Sequence, residues 1–500
     1  MGAPASTDKL GREVWIVAAV VTVGTVMSIL DTTIVNVALE TLSRELDASL
    51  STIQWVSTGY MLSLAVVIPL TGWMSERFGA KQVWMTSVGL FGVGSVLCGL
   101  AWSAESLIGF RILQGLGGGM IMPVGMSLLA QTAGPSRVGR VMSVIGVPTL
   151  LGPILGPVIG GLIVDSISWR WIFYVNVPIA IVALGLAARL LHAEAGRADA
   201  GRLDWLGILL LSPGLAGIVF GLSETETHGG LGAPIAWIPI VVGLVLIVLF
   251  VRHAWFADRP LIDVRLFRNT GFSAAAATTF LLGGSLFGTL IVLPLYYQIG
   301  RGESALAAGL LLAPQGLGAA LAMPVAGRLT DRVGGGRVAL VGLVIMTLGT
   351  IPFAFVGSTT SYGLLAAVLV VRGIGMGGTM MPAMAAAFAA LEGPQVPRAT
   401  SALNAIQRVG GSIGTALLAV VLQHQIATQL GGRAGGQGTL QRLPRGVRER
   451  VAEPLASAFA HTFWWAVALG ALALIPTIVL AVSQRRARRQ ESLQQVAEAA

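Results

Sequence analysis

Long apolar stretches, separated by short polar or glycine-rich links, recur along the whole chain. They fall near 14–36, 53–73, 83–102, 107–130, 139–163, 170–188, 205–222 and 236–250. A second set lies near 273–298, 305–326, 338–356, 360–386, 402–423 and 462–482. A helix crosses the bilayer core with about 20 apolar residues, so the pattern predicts fourteen spans, the eighth the shortest. The runs are continuous and do not alternate, which excludes a transmembrane β-barrel. Lys9 and Arg12 precede the first run, but no small-residue cleavage site follows it; it ends in Asp31-Thr32-Thr33 and reads as a first span, not a cleaved leader. The longest link, 424–460, is glycine-rich over 431–438. Its second part, 447–460, is expected to form a short helix at the outer surface, as a cap, a spacer or an aid to substrate admission.

Composition sharpens the class. Hydrophobic residues make up 54% of the 500, glycine adds 66, and charged residues are only 11%. An ordinary soluble domain is about 25% charged, so this chain lacks the polar cover of a soluble globule. The net charge of +9 does not point to nucleic acid, because the charges lie in the links and form no basic face. With the N-terminus given to the cytoplasm, the links on that side hold 21 Lys and Arg and the opposite links hold 8, five of them within 424–460. Arg111, Arg372 and Arg408 complete the 32 and lie within or at the ends of spans. This bias places both termini inside and 424–460 outside.

Cys98 is the only cysteine and sits in an apolar run, so no disulfide or CxxC pair forms within the chain. No phosphate-binding loop, no HExxH and no GxGxxG in a βαβ context is present, and the five histidines are scattered. The reading is of a protein that is not an enzyme and uses no cofactor and no metal. Without a nucleotide site, an ion gradient must drive any uphill movement.

Two segments repeat. Gly72-Trp-Met-Ser-Glu76-Arg77-Phe-Gly79-Ala-Lys81 matches Gly327-Arg-Leu-Thr-Asp331-Arg332-Val-Gly334, and Gln114 to Pro123 matches Arg372 to Pro382. The body is thus duplicated, as in transporters built from parallel halves. The first copy of the loop follows the second span and the second copy follows the tenth, so two spans, about 205–250, are expected as an insertion. The expected organisation is a tail 1–13, a six-helix bundle 14–188, a linker 189–272 with two inserted helices, a second six-helix bundle 273–483 that includes the external loop 424–460, and a tail 484–500.

These residues resemble the major facilitator superfamily and, within it, the fourteen-span drug:proton antiporters. Gly72 to Lys81 is similar to that family's cytoplasmic loop motif, with Glu76 where Asp is commoner. Arg111-Ile-Leu-Gln114-Gly115 resembles the proton-linked signature of its fourth span. Gly152-Pro153-Ile-Leu-Gly156-Pro157-Val-Ile-Gly160-Gly161 resembles the fifth-span motif of antiporters, and Leu30 to Ala38 resembles a first-span motif of the fourteen-span group. Trp169 to Pro178 follows at the expected place. The resemblance implies an all-α major facilitator fold of two six-helix bundles plus two inserted helices in the cytoplasmic membrane of a bacterium. It also implies proton-coupled export.

The candidate residues follow from burial of polarity. Asp31 is the one carboxylate well inside a span, where a charge costs about 2.5–3.5 kcal/mol on insertion scales. On the residues alone, a proton or substrate-cation role and a structural role both stand; the resemblance implies the former. Arg111 and Gln114 share one helix face, and the resemblance gives Arg111 a part in proton coupling. A contact with Asp31 is the physical route, and snorkelling to the interface is the alternative. Pro148, Gly152, Pro153, Gly156, Pro157, Gly160 and Gly161 predict a bent, closely packed helix suited to a rocking interface between halves, with Gly115 and Gly117 to Gly119 on the opposing helix. Gly72, Glu76, Arg77, Gly79, Asp331 and Arg332 are placed to latch the cytoplasmic side. Gln54, Tyr60, Asn176, Phe287, Tyr297 and Gln315 are candidates to line a substrate cavity. Arg372 and Arg408 read as structural.

The function expected is proton-coupled antiport of small amphipathic organic compounds, cationic or neutral, by alternating access around a cavity between the halves. Its partners are such a substrate, protons and membrane lipid, with no nucleic acid, and the protein is read as a monomer. A dedicated exporter of one endogenous metabolite is the alternative, then a proton-linked uptake symporter. A sensor or scaffold would need a partner module that the short tails do not supply.

Overall fold

The computed structural model describes residues 11–499 apart from 135–136, 138, 142–145, 147–151, 153–155, 157–158, 165, 193–195, 197–200, 228–231, 390, 392–394 and 431–444. Every regular element among the described residues is helical. The first half contains α1 (Arg12–Glu45), α2 (Leu50–Val67), α3 (Leu70–Phe78), α4 (Ala80–Gly99), α5 (Ala104–Ala133), α6 (Trp171–Tyr174) and α7 (Asn176–Leu190). Then come α8 (Trp205–Thr227) and α9 (Pro234–Phe256). The second half contains α10 (Thr270–Leu295), α11 (Ala305–Val333), α12 (Gly335–Thr350), α13 (Tyr362–Gly377), α14 (Met380–Phe388), α15 (Val396–Gln429) and α16 (Arg445–Ala499). Among the described residues twelve helices are long and apolar enough to cross a membrane, or thirteen if the bent pair α2–α3 is one span.

Local chemistry sets the starts and breaks. Ser49, Ser304 and Asn269 accept hydrogen bonds from the first free backbone N–H groups of α2, α11 and α10, and Ser103 with Ser106 forms a capping box on α5. The second predicted span, 53–73, is not straight. Pro69 lacks a backbone donor, and the helix axis turns by 56° between α2 and α3. The repeated loops end alike: Gly79 has φ 85° and ψ 138°, and Gly334 has φ 99° and ψ 140°. Only glycine takes that left-handed conformation without strain, so the two copies turn the chain identically.

The link expected over 424–460 is shorter than the sequence suggests. Helix α15 runs on to Gln429 and α16 begins at Arg445. The stretch 447–460 is not a separate surface helix but the first part of α16, and it buries Leu455, Ala456 and Phe459. Apolar spacing of three and four residues gives it an inward face as well as a long axis.

Packing divides by level. At the end given to the outside, Ile34, Val35, Ile53 and Phe173 build a core from the first half alone. At the same level Tyr296, Tyr297, Phe353 and Phe463 build one from the second half alone. Toward the opposite end, the one given to the cytoplasm, a single core joins both halves, with Val21, Trp84 and Leu129 in one body with Phe272, Met381 and Leu403. The α8–α9 pair lies outside this body. Its Leu211, Leu215 and Phe250 share a core with Ala65 and Ile68 of the first half and with Ala402 and Ala405 of the second. Asp204 ties the pair together: it accepts from Gly207 N–H at 2.8 Å and Leu261 N–H at 3.0 Å and meets His253 Nε2 at 2.8 Å.

Candidate functional site

Five helices of the first half bring polar side chains to one point. Asp31 of α1 is fully buried, as are Arg111 and Gln114 of α5 and Asn176 at the start of α7. Asp31 Oδ2 lies 2.6 Å from Arg111 Nη1. Asp31 Oδ1 accepts from Gln114 Nε2 at 3.0 Å and from Asn176 Nδ2 at 2.9 Å. Both amides also donate to Ser95 Oγ of α4, at 2.7 and 3.1 Å. Arg111 further donates from Nη1 to Gln114 Oε1 at 2.7 Å and from Nε to the carbonyl of Val56 in α2 at 3.2 Å. Its guanidinium lies 3.9 Å from the centroid of the Tyr60 ring, a cation–π contact. Arg111 and Gln114 reach the same acid because residues three apart share a helix face.

Removing water from two ions costs several kcal/mol each, recovered only when geometry is good and remaining lone pairs are used. Here both carboxylate oxygens are engaged, one by the guanidinium and one by two amides. Cys98 adds a weak contact from Sγ to Gln114 Oε1 at 3.6 Å. Asn176 Oδ1 has no hydrogen-bond partner among the described residues. The snorkelling alternative for Arg111 is set aside by its burial and its contact with Asp31.

The glycines of the fifth predicted span bear on the same point. Pro148, Pro153 and Pro157 lie outside the described residues, as does most of 139–163. Gly152, Gly156 and Gly160 face Ile29, Thr33 and Ile34 of α1. These three glycines pack within the first half, on both sides of Asp31, while Gly139 and Gly146 of the same run face Thr330 and Met323 of the second half. Gly115, Gly118 and Gly119 meet Tyr60 and Leu64 of α2, and Gly117 meets Phe91 of α4. Gly161 has open space around its Cα.

The loops given to the cytoplasm cross between halves with partners that the sequence did not announce. Glu76 of α3 holds Arg398 of α15 through both oxygens, at 2.8 Å to Nε and 2.8 Å to Nη2. Arg398 also donates to the Pro260 carbonyl at 3.0 Å. Gly72 lets α3 approach the Arg398 backbone, where a Cβ would stand 2.9 Å from its Cα. Asp331 faces Arg140, Oδ2 to Nε 3.5 Å. Arg77 and Arg332 occupy the last turns of α3 and α11, and Gly79 makes the turn.

The cavity candidates scatter. Tyr60 and Asn176 belong to the Asp31 cluster. Gln54 is exposed on α2, and Tyr297 is buried in a ring cluster with Tyr296 and Tyr362 at the outer end. Phe287 is 41% exposed. Gln315 accepts from Arg372 Nη1 at 2.5 Å, and Thr350 Oγ1 accepts from Arg372 Nε at 3.2 Å. Arg372 is fully buried and its Nη2 has no partner among the described residues. A small cavity lies nearby, lined by Thr279, Leu286, Met346, Met376, Thr379 and Gln407. No group of His, Cys, Asp and Glu among the described residues is arranged to hold a metal ion.

The family model of the Major Facilitator Superfamily matches residues 21–415. The chain is 40% identical to the "Multidrug resistance protein B homolog" of Mycobacterium tuberculosis, over 96% of this chain and 93% of that protein. It is 33% identical to the "Methylenomycin A resistance protein" of Streptomyces coelicolor, over 80% of this chain and 84% of that protein. Among solved structures it resembles the human organic anion transporter MFSD10 (TM-score 0.63, 17% identity, 94% of this chain and 100% of that one). It also resembles the proton:xylose symporter XylE (TM-score 0.60, 14% identity, 92% of this chain and 94% of that one). The chain belongs to the major facilitator superfamily. It is a multi-pass membrane transporter related to bacterial multidrug-resistance proteins, and not an enzyme.

Proposed function

We propose that this transporter exports amphipathic organic compounds across the bacterial cytoplasmic membrane in exchange for protons, with Asp31 as the proton carrier. The observation that carries the reading is the buried cluster of Asp31, Arg111, Gln114, Asn176 and Ser95. A charge sealed inside a span is a functional group by default, and this one is balanced by a single cation. Protonating Asp31 removes the counter-charge of Arg111, and an unpaired buried guanidinium is unstable by several kcal/mol. The cluster must then rearrange or hydrate, so proton uptake and helix movement become one event. The stripe of Gly152, Gly156 and Gly160 against α1 gives that helix a smooth surface on which to shift.

Alternating access follows from the division of the core. Both halves pack together at the cytoplasmic end and separate at the outer end, which supports an outward-facing state closed by Glu76–Arg398 and Arg140–Asp331. Thirteen helical spans, with the apolar run 139–163 as a further one, support fourteen in all. That arrangement has bundles over 14–188 and 273–483, an inserted pair within 189–272 and both termini cytoplasmic.

Reconstituted protein tests the proposal. Proton flux and substrate flux measured on the same vesicles across pH 5.5–8.5 should rise and fall together, and accumulation of a dye in a pump-deficient host should drop until an uncoupler is added. Unchanged accumulation across a broad panel, with the protein confirmed in the membrane, would sink it.

A further inference from the structure

Three arginines lie within spanning helices away from the terminal turns, and Asp31 is the one carboxylate that lies well inside a span with them; the others sit at or toward helix ends. Arg111 takes Asp31. Among the described residues Arg372 and Arg408 have no counter-ion. An unpaired charge at this depth is costly, so a ligand is the remaining source of balance.

Arg372 is sealed in the second half between Gln315 and Thr350. Arg408 stands differently. It lies on the face of α15 that carries Ser401 and Ala405, at spacings of seven and three residues. That face meets the first half: Ser401 Oγ donates to the Ile68 carbonyl at 2.6 Å, and Ala405 packs in one core with Ala65 and Ile68. Since α2 and α15 run in opposite senses, Arg408 comes level with Tyr60 and lies within electrostatic reach of it. Arg408 is partly exposed and makes no hydrogen bond or ion pair among the described residues. It stands just outward of the contacts that close the cytoplasmic side. One turn further out, a Cβ on Gly411 would meet the Phe287 ring at 2.8 Å, and that ring is 41% exposed.

We propose that Arg408 seats the anionic group of an amphipathic organic anion, a sulfonate or carboxylate on an aromatic or alkyl body, with Phe287 against the apolar part and Arg372 contributing a fixed positive field. This rests on the export reading above and changes its substrate class. The sequence pointed to cationic or neutral compounds, yet both oxygens of Asp31 are already taken by three donors, while the guanidinium of Arg408 has no hydrogen-bond partner among the described residues.

Equilibrium binding to the purified full-length protein tests the seat, using 2-naphthalenesulfonate, ionised at every working pH, and its neutral sulfonamide. Chloride is replaced by gluconate. A charge-assisted contact predicts that wild type prefers the sulfonate by about tenfold or more. Arg408→Gln should abolish the preference, Arg408→Lys should keep most of it, and sulfonamide binding should be equal in all three. Arg408→Lys retains the charge, so it still reports if the glutamine variant does not fold. Equal affinity of wild type for both probes, equal weakening of both in Arg408→Gln, or displacement of the sulfonate by equimolar chloride would each overturn the proposal. Flux of the sulfonamide driven by a pH gradient in wild-type vesicles checks the export reading separately. Its absence beside intact, Arg408-dependent sulfonate binding would fail that reading and leave the seat standing.

Discussion

Arg111 Nη1 and Asp31 Oδ2 stand 2.6 Å apart, 80 residues apart in sequence, with both side chains sealed from solvent. Each ion would be costly at that depth without the other. Asp31→Asn leaves Arg111 without its counter-ion and should lose stability, yet it resembles the protonated acid and should still insert, and it should lower proton-coupled flux about tenfold or more. Wild-type stoichiometry in that variant would return Asp31 to a structural role. Substrate and proton flux falling in proportion, with binding lost, would make it a ligand for a cationic group.

Arg111→Ala leaves the carboxylate buried and unpaired. It should destabilise the protein by about 3–5 kcal/mol, and the double variant with Asp31→Asn should recover much of that loss. Thermal unfolding of the four proteins in one detergent measures the coupling. Additive losses would show that the two residues do not act as a pair.

The Glu76–Arg398 pair is partly buried, with side-chain exposures of 14% and 14%, so it should matter more than a solvated salt bridge. Arg398→Ala should shift the population toward the cytoplasm-open state by about fivefold, roughly 1 kcal/mol. Labelling of Ser401→Cys in a Cys98→Ser background by a small thiol reagent reads that shift as a faster rate. Exchanging the charges, Glu76→Arg with Arg398→Glu, should restore the slow rate; a swap as fast as the single variant would disprove the latch.

Gly284 and Gly414 bring α10 and α15 into backbone contact, and a Cβ on Gly414 would overlap the Gly284 backbone. Gly414→Ala should therefore cost about 1–3 kcal/mol or more. Gly185→Ala, with nothing within 4 Å of the new carbon, should be neutral or slightly stabilising. The two melting temperatures, taken side by side, check the packing.

Orientation is open to direct measurement. In the Cys98→Ser background, an impermeant thiol reagent on intact cells should label a cysteine at Gly436 and not one at Gln494. Labelling at both, or at 494 alone, would break the fourteen-span arrangement.

The spans and the triad of Asp31, Arg111 and Gln114 were legible because both rest on one-dimensional signals, namely apolar run length and a polar residue interrupting a run. Ser95 and Arg398 were not. A serine in a helix is common and silent until an amide reaches it, and Arg398 read only as one more cytoplasmic charge beside Glu76 and its neighbour Arg77. Asn176 was placed with the substrate because sequence shows that a residue is polar and not which helix it turns toward. The glycine stripe announced close packing but not its partner, since Gly152, Gly156 and Gly160 fit α1 as readily as a helix of the other half. The break at Pro69 was also missed, because an apolar count passes through a proline that the helix axis does not.

Cys98 gains significance from its neighbour. It is the sole cysteine in the chain, and its thiol lies against Gln114 Oε1, the oxygen that also accepts from Arg111. A thiol is a weak donor whose bond stiffens or softens with the strength of its acceptor. Its S–H stretch appears in a part of the infrared spectrum where other protein groups are silent. If Asp31 is the proton carrier, its protonation changes the grip of Arg111 and the electron density on that shared oxygen, and the S–H band should move with it. The unlabelled wild-type protein thus contains a single vibrational reporter one side chain away from the proposed proton carrier, suited to timing that step without a dye, a spin label or a mutation.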